Sequence, residues 1–186
     1  HGVLDKIILA AELNPGDTVL EIGPGSGILT RELATRARKV IAIEKDHRLI
    51  EELFRLTQEL TNLEVIEGDI LKFKIQNLKL KAGQYKIVAN LPYYITSHFI
   101  RAVFEKWPRP ERLVIMIQKE VAQRIMAHPP DMNLLALSVQ VYAQPKIISY
   151  VSRGSFRPIP NVDSAIIRLD PLAKPHDKKV IEIAKK

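Results

Sequence analysis

The residues best placed to do chemistry are Asn90-Leu91-Pro92-Tyr93. An exocyclic amine on a base or an amide is a poor nucleophile, because its lone pair is delocalised. A side-chain amide oxygen and a nearby backbone carbonyl can accept both of its N–H groups and favour a pyramidal nitrogen. Asn90 Oδ1 and the Leu91 carbonyl have the right types and spacing for this. Pro92 stiffens the turn, and Tyr93 offers a face for stacking. The chemistry would be an in-line methyl displacement at nitrogen, governed by positioning more than by a strong base. An ordinary strand-to-turn Asn-x-Pro is the plainer explanation of the same residues. The chain contains no cysteine. Methylation at cytosine C5 runs through a cysteine adduct and is excluded, whereas amino methylation needs no such nucleophile.

A methyl donor needs its own pocket. Glu21-Ile22-Gly23-Pro24-Gly25-Ser26-Gly27 follows an apolar, β-branched run and opens a helical pattern. Glycines there permit positive φ and close approach of backbone to a ligand. The spacing is G-x-G-x-G. A dinucleotide fingerprint would need glycine where Ile28 stands, and no Gly-Lys-Ser/Thr phosphate loop occurs. Glu44 ends the second strand, 21 residues after Gly23, where a carboxylate can accept both hydroxyls of a ribose. Asp69, in Gly68-Asp69-Ile70, follows the third strand and could read an adenine edge, although an Asp in that position is commonly a cap or turn former. Together these strand ends describe a pocket for an adenosine-containing ligand without phosphates. S-adenosylmethionine fits that description better than NAD or ATP. A second aromatic, Phe156, precedes a loop stiffened by Pro158 and Pro160. Opposite Tyr93 it would sandwich a flipped-out base, with Arg153 and Arg157 holding phosphates. For an isolated Phe, core packing is the simpler reading.

Hydrophobic periodicity supplies the elements that must hold these residues. Helices are expected over residues 3–13, 28–37, 48–60, 97–107, 119–127 and 133–143. Strands are expected over 18–22, 40–44, 63–67, 86–89, 113–117, 146–152 and 165–169. Alternation of this kind predicts a mainly parallel sheet with helices on both faces. The last two strands have no helix between them, so they should pair antiparallel at one edge. In such a sheet ligands bind beyond the carboxyl ends of the strands, where the glycines, Glu44, Asp69 and Asn90 all fall.

The 186 residues suit one compact domain. No apolar run exceeds five residues, as at 113–117, whereas a membrane helix needs about 20. Asp5, Lys6 and Glu12 interrupt the first fifteen residues, so no signal peptide is expected. Without cysteine there are no disulfides or thiolate metal sites, and a reducing, cytoplasmic setting and no metal are expected. The net charge is +7 and the isoelectric point about 9.6. Residues 1–89 balance 13 Lys/Arg against 13 Asp/Glu, so the whole excess lies in residues 90–186. Lysines can be ordinary solubilising surface; the functional alternative is a phosphate-facing surface built by the second half.

Assembled in this way, the sequence resembles the ribosomal RNA adenine N6,N6-dimethyltransferase family (the KsgA and Erm type) over about residues 3–169. The matching pieces are Val3-Leu4-Asp5-Lys6-Ile7, the glycine loop, Glu44, Gly68-Asp69, Asn90-Leu91-Pro92-Tyr93-Tyr94-Ile95-Thr96, Gln118-Lys119-Glu120-Val121-Ala122 and residues 156–164. Asn-Leu-Pro-Tyr-Tyr and Val-Asp-Ser are closer to the KsgA type. The resemblance implies a Rossmann-like class I methyltransferase domain over 1–170, with 171–186 beginning a C-terminal helical RNA-binding domain. It implies a monomer that acts on small-subunit rRNA, dimethylating two adjacent adenosines near its 3′ end in ribosome biogenesis. Glu21, Gly23, Gly25, Glu44, Lys45, Asp69, Ile70 and Asn90 would contact S-adenosylmethionine. Asn90, Leu91, Pro92, Tyr93 and Phe156 would hold the target adenine. Family members carry further sequence on both sides, so the chain is expected to be truncated at both ends. Where they have a Tyr-Gly pair, this chain has Met132-Asn133-Leu134. The alternatives are an Erm-type large-subunit rRNA methyltransferase, a DNA adenine or protein glutamine amino-methyltransferase, and a non-catalytic ribosome-assembly factor.

Overall fold

Short apolar runs bounded by turn residues become strands, and the amphipathic stretches between them cover both faces of the resulting sheet. The computed structural model of the protein describes residues 2–156 and 159–176. Its elements are α1 (Val3–Ala11), β1 (Thr18–Ile22), α2 (Ile28–Ala34), β2 (Lys39–Glu44), α3 (His47–Leu56), β3 (Leu63–Glu67), β4 (Lys86–Asn90), α4 (Thr96–Lys106), β5 (Arg112–Gln118), α5 (Lys119–Ile125), α6 (Leu134–Gln140), β6 (Ala143–Val151) and β7 (Ser164–Pro171). Single 3-10 turns lie at Ile75–Leu78, Tyr93–Ile95 and Arg153–Ser155.

The sheet has seven strands in the order β3-β2-β1-β4-β5-β7-β6. β1 to β5 run parallel, and β7 lies antiparallel between β5 and β6. The parallel sheet with an antiparallel edge is the expected fold class. β1 is buried along its whole length, as a central parallel strand must be. One face packs Leu20, Ile41, Ile87 and Ile115 against Phe99, Ile100 and Ile125 from α4 and α5. The other packs Val19, Val40, Val88 and Val114 against Ile7, Ala11, Leu29 and Leu33 from α1 and α2. Each fully buried Leu or Ile contributes about 1.5–3 kcal/mol.

The boundaries differ from expectation in physically interpretable ways. α1 stops at Ala11 because Glu12 turns left-handed as its C-cap, with φ 46°. α3 starts at His47, where the Asp46 side chain caps the Arg48 N–H, and ends at Leu56, where the Thr57 hydroxyl bonds the Leu53 carbonyl. The helix expected over 133–143 is only α6, and β6 begins at Ala143 and runs through Pro145. An edge strand accommodates a residue with no N–H to donate. A register shift between Ile147 and Ser149 marks a bulge in the same strand. Of the segment 171–186, the described part runs to His176 and is tied back by N–H bonds from Leu172 to Tyr142 and from His176 to Val141. The helix suggested there would lie in residues outside the described ones.

The amino ends of the parallel strands are latched by charge. The Lys86 ammonium is buried at the start of β4 and donates to the Glu12 carbonyl at 2.6 Å and to Asp17 at 2.8 Å. Arg112 and Arg168 each pair with both Glu12 and Asp170. α1 is thereby fixed to the end of the sheet opposite the strand ends that carry the candidate site.

Candidate active site

At the carboxyl ends of β1, β2 and β3 the chain builds a cleft from Ile22, Gly23, Glu44, Lys45, Gly68, Asp69, Ile70 and Leu71, closed on the far side by Pro92, Tyr94 and Ile95. It encloses about 110 Å³, less than the roughly 300–1,000 Å³ of a pocket that swallows a whole ligand. It would seat one flat ring system, with the rest of the ligand running along the glycine loop.

That loop is shaped by backbone needs. Gly27 has φ 76°, which strains any L side chain, and a Cβ there would lie 2.6 Å from Leu53 Cδ1 and push that side chain aside. Gly25 is also left-handed, with nothing within 4 Å of where its Cβ would project. Its N–H points to Glu44 Oε2 at 3.4 Å. Glu44 is 8 % exposed, and its Oε1 accepts the backbone N–H groups of Lys45 at 2.7 Å and Asp46 at 3.0 Å. The carboxylate is therefore fixed in direction while keeping lone pairs free for ligand hydroxyls.

Asp69 forms the turn the sequence allowed and adds an ion pair. Its Oδ1 accepts the Leu71 N–H at 3.1 Å, as a turn former does, and its Oδ2 accepts Lys45 Nζ at 3.0 Å across the mouth of the cleft. The Lys45 hydrogen bond, followed by that of the Leu71 backbone, holds the Asp69 carboxyl below the usual carboxylate range. Ile70 is buried beneath it.

Asn90 ends β4 with its side chain exposed, and among the described residues nothing hydrogen-bonds its amide. The position of a Gly23 Cβ would be 3.9 Å from the Asn90 carbonyl, so the glycine loop and the Asn-Leu-Pro-Tyr segment adjoin. Leu91 is buried in the core, leaving only its backbone for chemistry. Tyr93 is half-buried, and its hydroxyl shares a hydrogen bond with Ser164 Oγ at 2.8 Å. Ser164 is fully buried at the start of β7 and pairs with Gln118 of β5.

Glu21 and Phe156 are not among the residues that line the cleft. Glu21 lies in β1 with 1 % exposure, both carboxyl oxygens and the neighbouring Thr30 hydroxyl being buried without hydrogen-bond partners among the described residues. Burial pushes its carboxyl up to about 8, so it holds a proton at neutral pH. Phe156 packs, partly buried, against the core face that contains Val151 and Ile166. Arg157 and Pro158 lie outside the described residues, so the expected base sandwich and the Arg157 phosphate contact lie partly beyond the structural description. Arg153 donates from its backbone to Asp163 at 3.0 Å.

Sequence reasoning missed Tyr94, Leu71 and Ser164. It also missed a more open cleft of about 260 Å³ between α4, α5 and α6, lined by Ser97, His98, Arg101, Arg124, Leu134, Leu135 and Ser138. Ser164 was visible in the matched Val162-Asp163-Ser164, but nothing in one sequence reports that it faces Tyr93. Among the described residues no group of three or more His, Cys, Asp or Glu is placed to hold a metal, and no helix is long and apolar enough to cross a membrane.

Known proteins share both sequence and fold with this chain. "Ribosomal RNA small subunit methyltransferase A" of Dehalococcoides mccartyi strain BAV1 is 48 % identical over 169 residues, which are 91 % of this chain and 58 % of that protein. The chain thus spans less than two thirds of that relative's length. The crystal structure of a dimethyladenosine transferase from Plasmodium falciparum superposes with a TM-score of 0.82 at 38 % identity, over 91 % of this chain and 61 % of that one. The crystal structure of the 23S rRNA methyltransferase ErmE gives 0.83 at 33 % identity, over 97 % of this chain and 72 % of that one. The model of the family described as "Ribosomal RNA adenine dimethylase" matches residues 1–183, and the chain belongs to that family.

Proposed function

We propose that this chain carries the S-adenosylmethionine-dependent transfer of methyl groups to N6 of two adjacent adenosines near the 3′ end of small-subunit rRNA, giving N6,N6-dimethyladenosine in ribosome biogenesis. The observation that carries the reading is the free Asn90 amide at the end of β4, beside the glycine loop and cleft. The cleft fits the cofactor. Gly25 leaves open space above the loop, Glu44 offers a fixed, directed carboxylate, and the cleft has room for a ring. Gly23, Gly25, Glu44, Asp69 and Ile70 would hold it, with Lys45 at the rim.

When bound, the cofactor supplies an electrophilic methyl group on a sulfonium. The chain's own residues prepare the nucleophile. Asn90 Oδ1 and the Leu91 carbonyl accept the two N6 hydrogens, which localises the nitrogen lone pair and aims it at the cleft. Pro92, with φ −56°, fixes the turn that places both acceptors. Tyr93 stacks on the base while its hydroxyl stays anchored to Ser164, so the ring does not wander. As the nitrogen is alkylated it loses a proton to solvent. The remaining hydrogen can then be held in the same way for a second transfer. No group of raised basicity is required, because holding the two partners in line supplies most of the advantage.

Arg101, Arg124 and His98 border the cleft that starts one turn after Tyr93. They belong to the basic half of the chain and suit the backbone phosphates of an RNA hairpin. The small-subunit substrate is favoured over the large-subunit one by relatives named for the small subunit at 44–49 % identity, against 33 % for the 23S enzyme. The setting is a cytoplasmic enzyme acting as a monomer. The test is mass spectrometry of small-subunit rRNA after incubating unmodified subunits with this chain and S-adenosylmethionine. The expected result is two methyl groups on each of two adjacent adenosines in the 3′ hairpin. Methylation of 23S rRNA or DNA instead would overturn the assignment of substrate.

A further inference from the structure

Two adjacent tyrosines end the Asn-Leu-Pro-Tyr-Tyr segment, and the structure treats them in opposite ways. Tyr93 is half-buried and tied to Ser164. Tyr94 is 79 % exposed, more than any other large hydrophobic side chain among the described residues. It makes no hydrogen bond or ring contact there, yet it lines the cleft beside Pro92 and Ile95, opposite Gly68, Ile70 and Leu71. Leu71, on the facing wall, is itself 43 % exposed. An unstacked aromatic ring and an exposed leucine thus flank the opening of a slot sized for one flat ring.

We propose that Tyr94 is a positioning residue for the cofactor, its ring closing over the heteroaromatic base of S-adenosylmethionine and holding that base against the Ile70 and Leu71 wall. The inference rests on the cofactor reading of the cleft given above. In it the tandem tyrosines divide the work. Tyr93 serves the target adenine, and Tyr94 serves the adenine of the methyl donor. The arrangement also places Tyr94 near the Lys45–Asp69 pair at the rim. The hydrogen bond to Asp69, ahead of their charge attraction, holds the Lys45 ammonium above its usual range. Base–aromatic stacking is tolerant of ring substituents, so the phenol hydroxyl is dispensable and the ring is not.

Binding of S-adenosylhomocysteine, the unreactive product, tests this by titration calorimetry on the whole chain. Tyr94→Ala should weaken binding about tenfold, while Tyr94→Phe should match the parent. Because the side chain is exposed, circular dichroism and melting temperature should be unchanged in both variants. In Tyr94→Trp, indole fluorescence should be quenched by S-adenosylhomocysteine and by adenosine but not by homocysteine, with Trp107 in the parent as the control. Parent-like affinity in Tyr94→Ala would overturn the proposal and leave the cleft reading standing. A loss in Tyr94→Phe equal to that in Tyr94→Ala would also overturn it, by showing that the hydroxyl and not the ring does the work. Absence of binding in the parent would remove the cleft reading and this proposal together.

Discussion

The two ends of the same parallel strands are built on opposite principles. At the amino ends, Lys86, Arg112 and Arg168 meet Glu12, Asp17 and Asp170, and each charge has a near partner. At the carboxyl ends the backbone turns left-handed at Gly23, Gly25 and Gly27. There the Asn90 amide points to solvent and Tyr94 lies unstacked. One end satisfies its polar groups internally and gains rigidity. The other leaves selected groups in contact with water, without partners in the protein and free for a ligand. Substitutions at the amino end should therefore change stability without touching ligand affinity, and those at the carboxyl end should do the reverse.

The largest effect is expected at the latched end. Lys86→Met keeps the length of the side chain but removes the ammonium, leaving Asp17 without its buried partner. Breaking a buried pair in this way costs about 3 kcal/mol or more. Urea denaturation should show that loss, while affinity for S-adenosylhomocysteine in the folded population stays within twofold. A weakened affinity would mean that the two ends are coupled through β4. At the open end, Asn90→Ala should lower methyl transfer by at least about 10²-fold, the scale of a lost positioning contact, with stability changed by less than about 0.5 kcal/mol. A folded variant that still dimethylates would remove Asn90 from its role.

Glu21 breaks the simple contrast, since it lies near the open end yet is buried. Its folded carboxyl is raised to about 8 by burial, against 4.5 when solvated, so folding takes up a proton between those values. The stability it allows is full below about pH 4.5, declines as pH rises toward 8 and is flat above that. Glu21→Gln removes the titration. The variant should gain on the parent across that interval, reaching on the order of 2 kcal/mol at pH 8 after the cost of its own unpaired amide. Melting temperatures at pH 5 and pH 8 check this, and parallel pH profiles for parent and variant would show that Glu21 is not the titrating group.

Glu21 also shows where reading the sequence stops. Strand ends carrying Gly23, Glu44, Asp69 and Asn90 were legible because parallel topology sends all of them to one edge, and the cleft forms there. Period and spacing placed Glu21 beside Gly23 but did not say on which side of β1 its carboxyl falls. That depends on the pleat, which puts Glu21 on the face of Val19 and away from Leu20 and Ile22. Tyr94 stood in the matched motif but drew no role of its own, because its neighbour Tyr93 supplied the stacking face. The cationic cleft escaped because Arg101 and Arg124 belong to separate helices, brought together only by packing. The start of β6 was misplaced because Pro145 reads as a strand breaker until its strand is known to be at the edge.

The smallest expected effect falls on an anchored aromatic of the open end, Tyr93. Ser164 is buried and 71 residues from Tyr93 in sequence, yet it holds the tyrosine hydroxyl at 2.8 Å. Ser164→Ala removes that partner and leaves the phenol half-buried without it, which costs about 1 kcal/mol. Because the ring itself remains, the stacking face is retained but its orientation is loosened. Turnover should fall a few-fold and, on the proposed stacking of Tyr93 on the target base, the Michaelis constant for RNA should rise more than that for S-adenosylmethionine. Tyr93→Phe should reproduce the same pattern, and the double variant should be no worse than either single one, as for two halves of one interaction. Additive losses would show that Ser164 and Tyr93 act separately. The open end would then hold its catalytic aromatic by packing alone, and the contrast with the latched end would be complete.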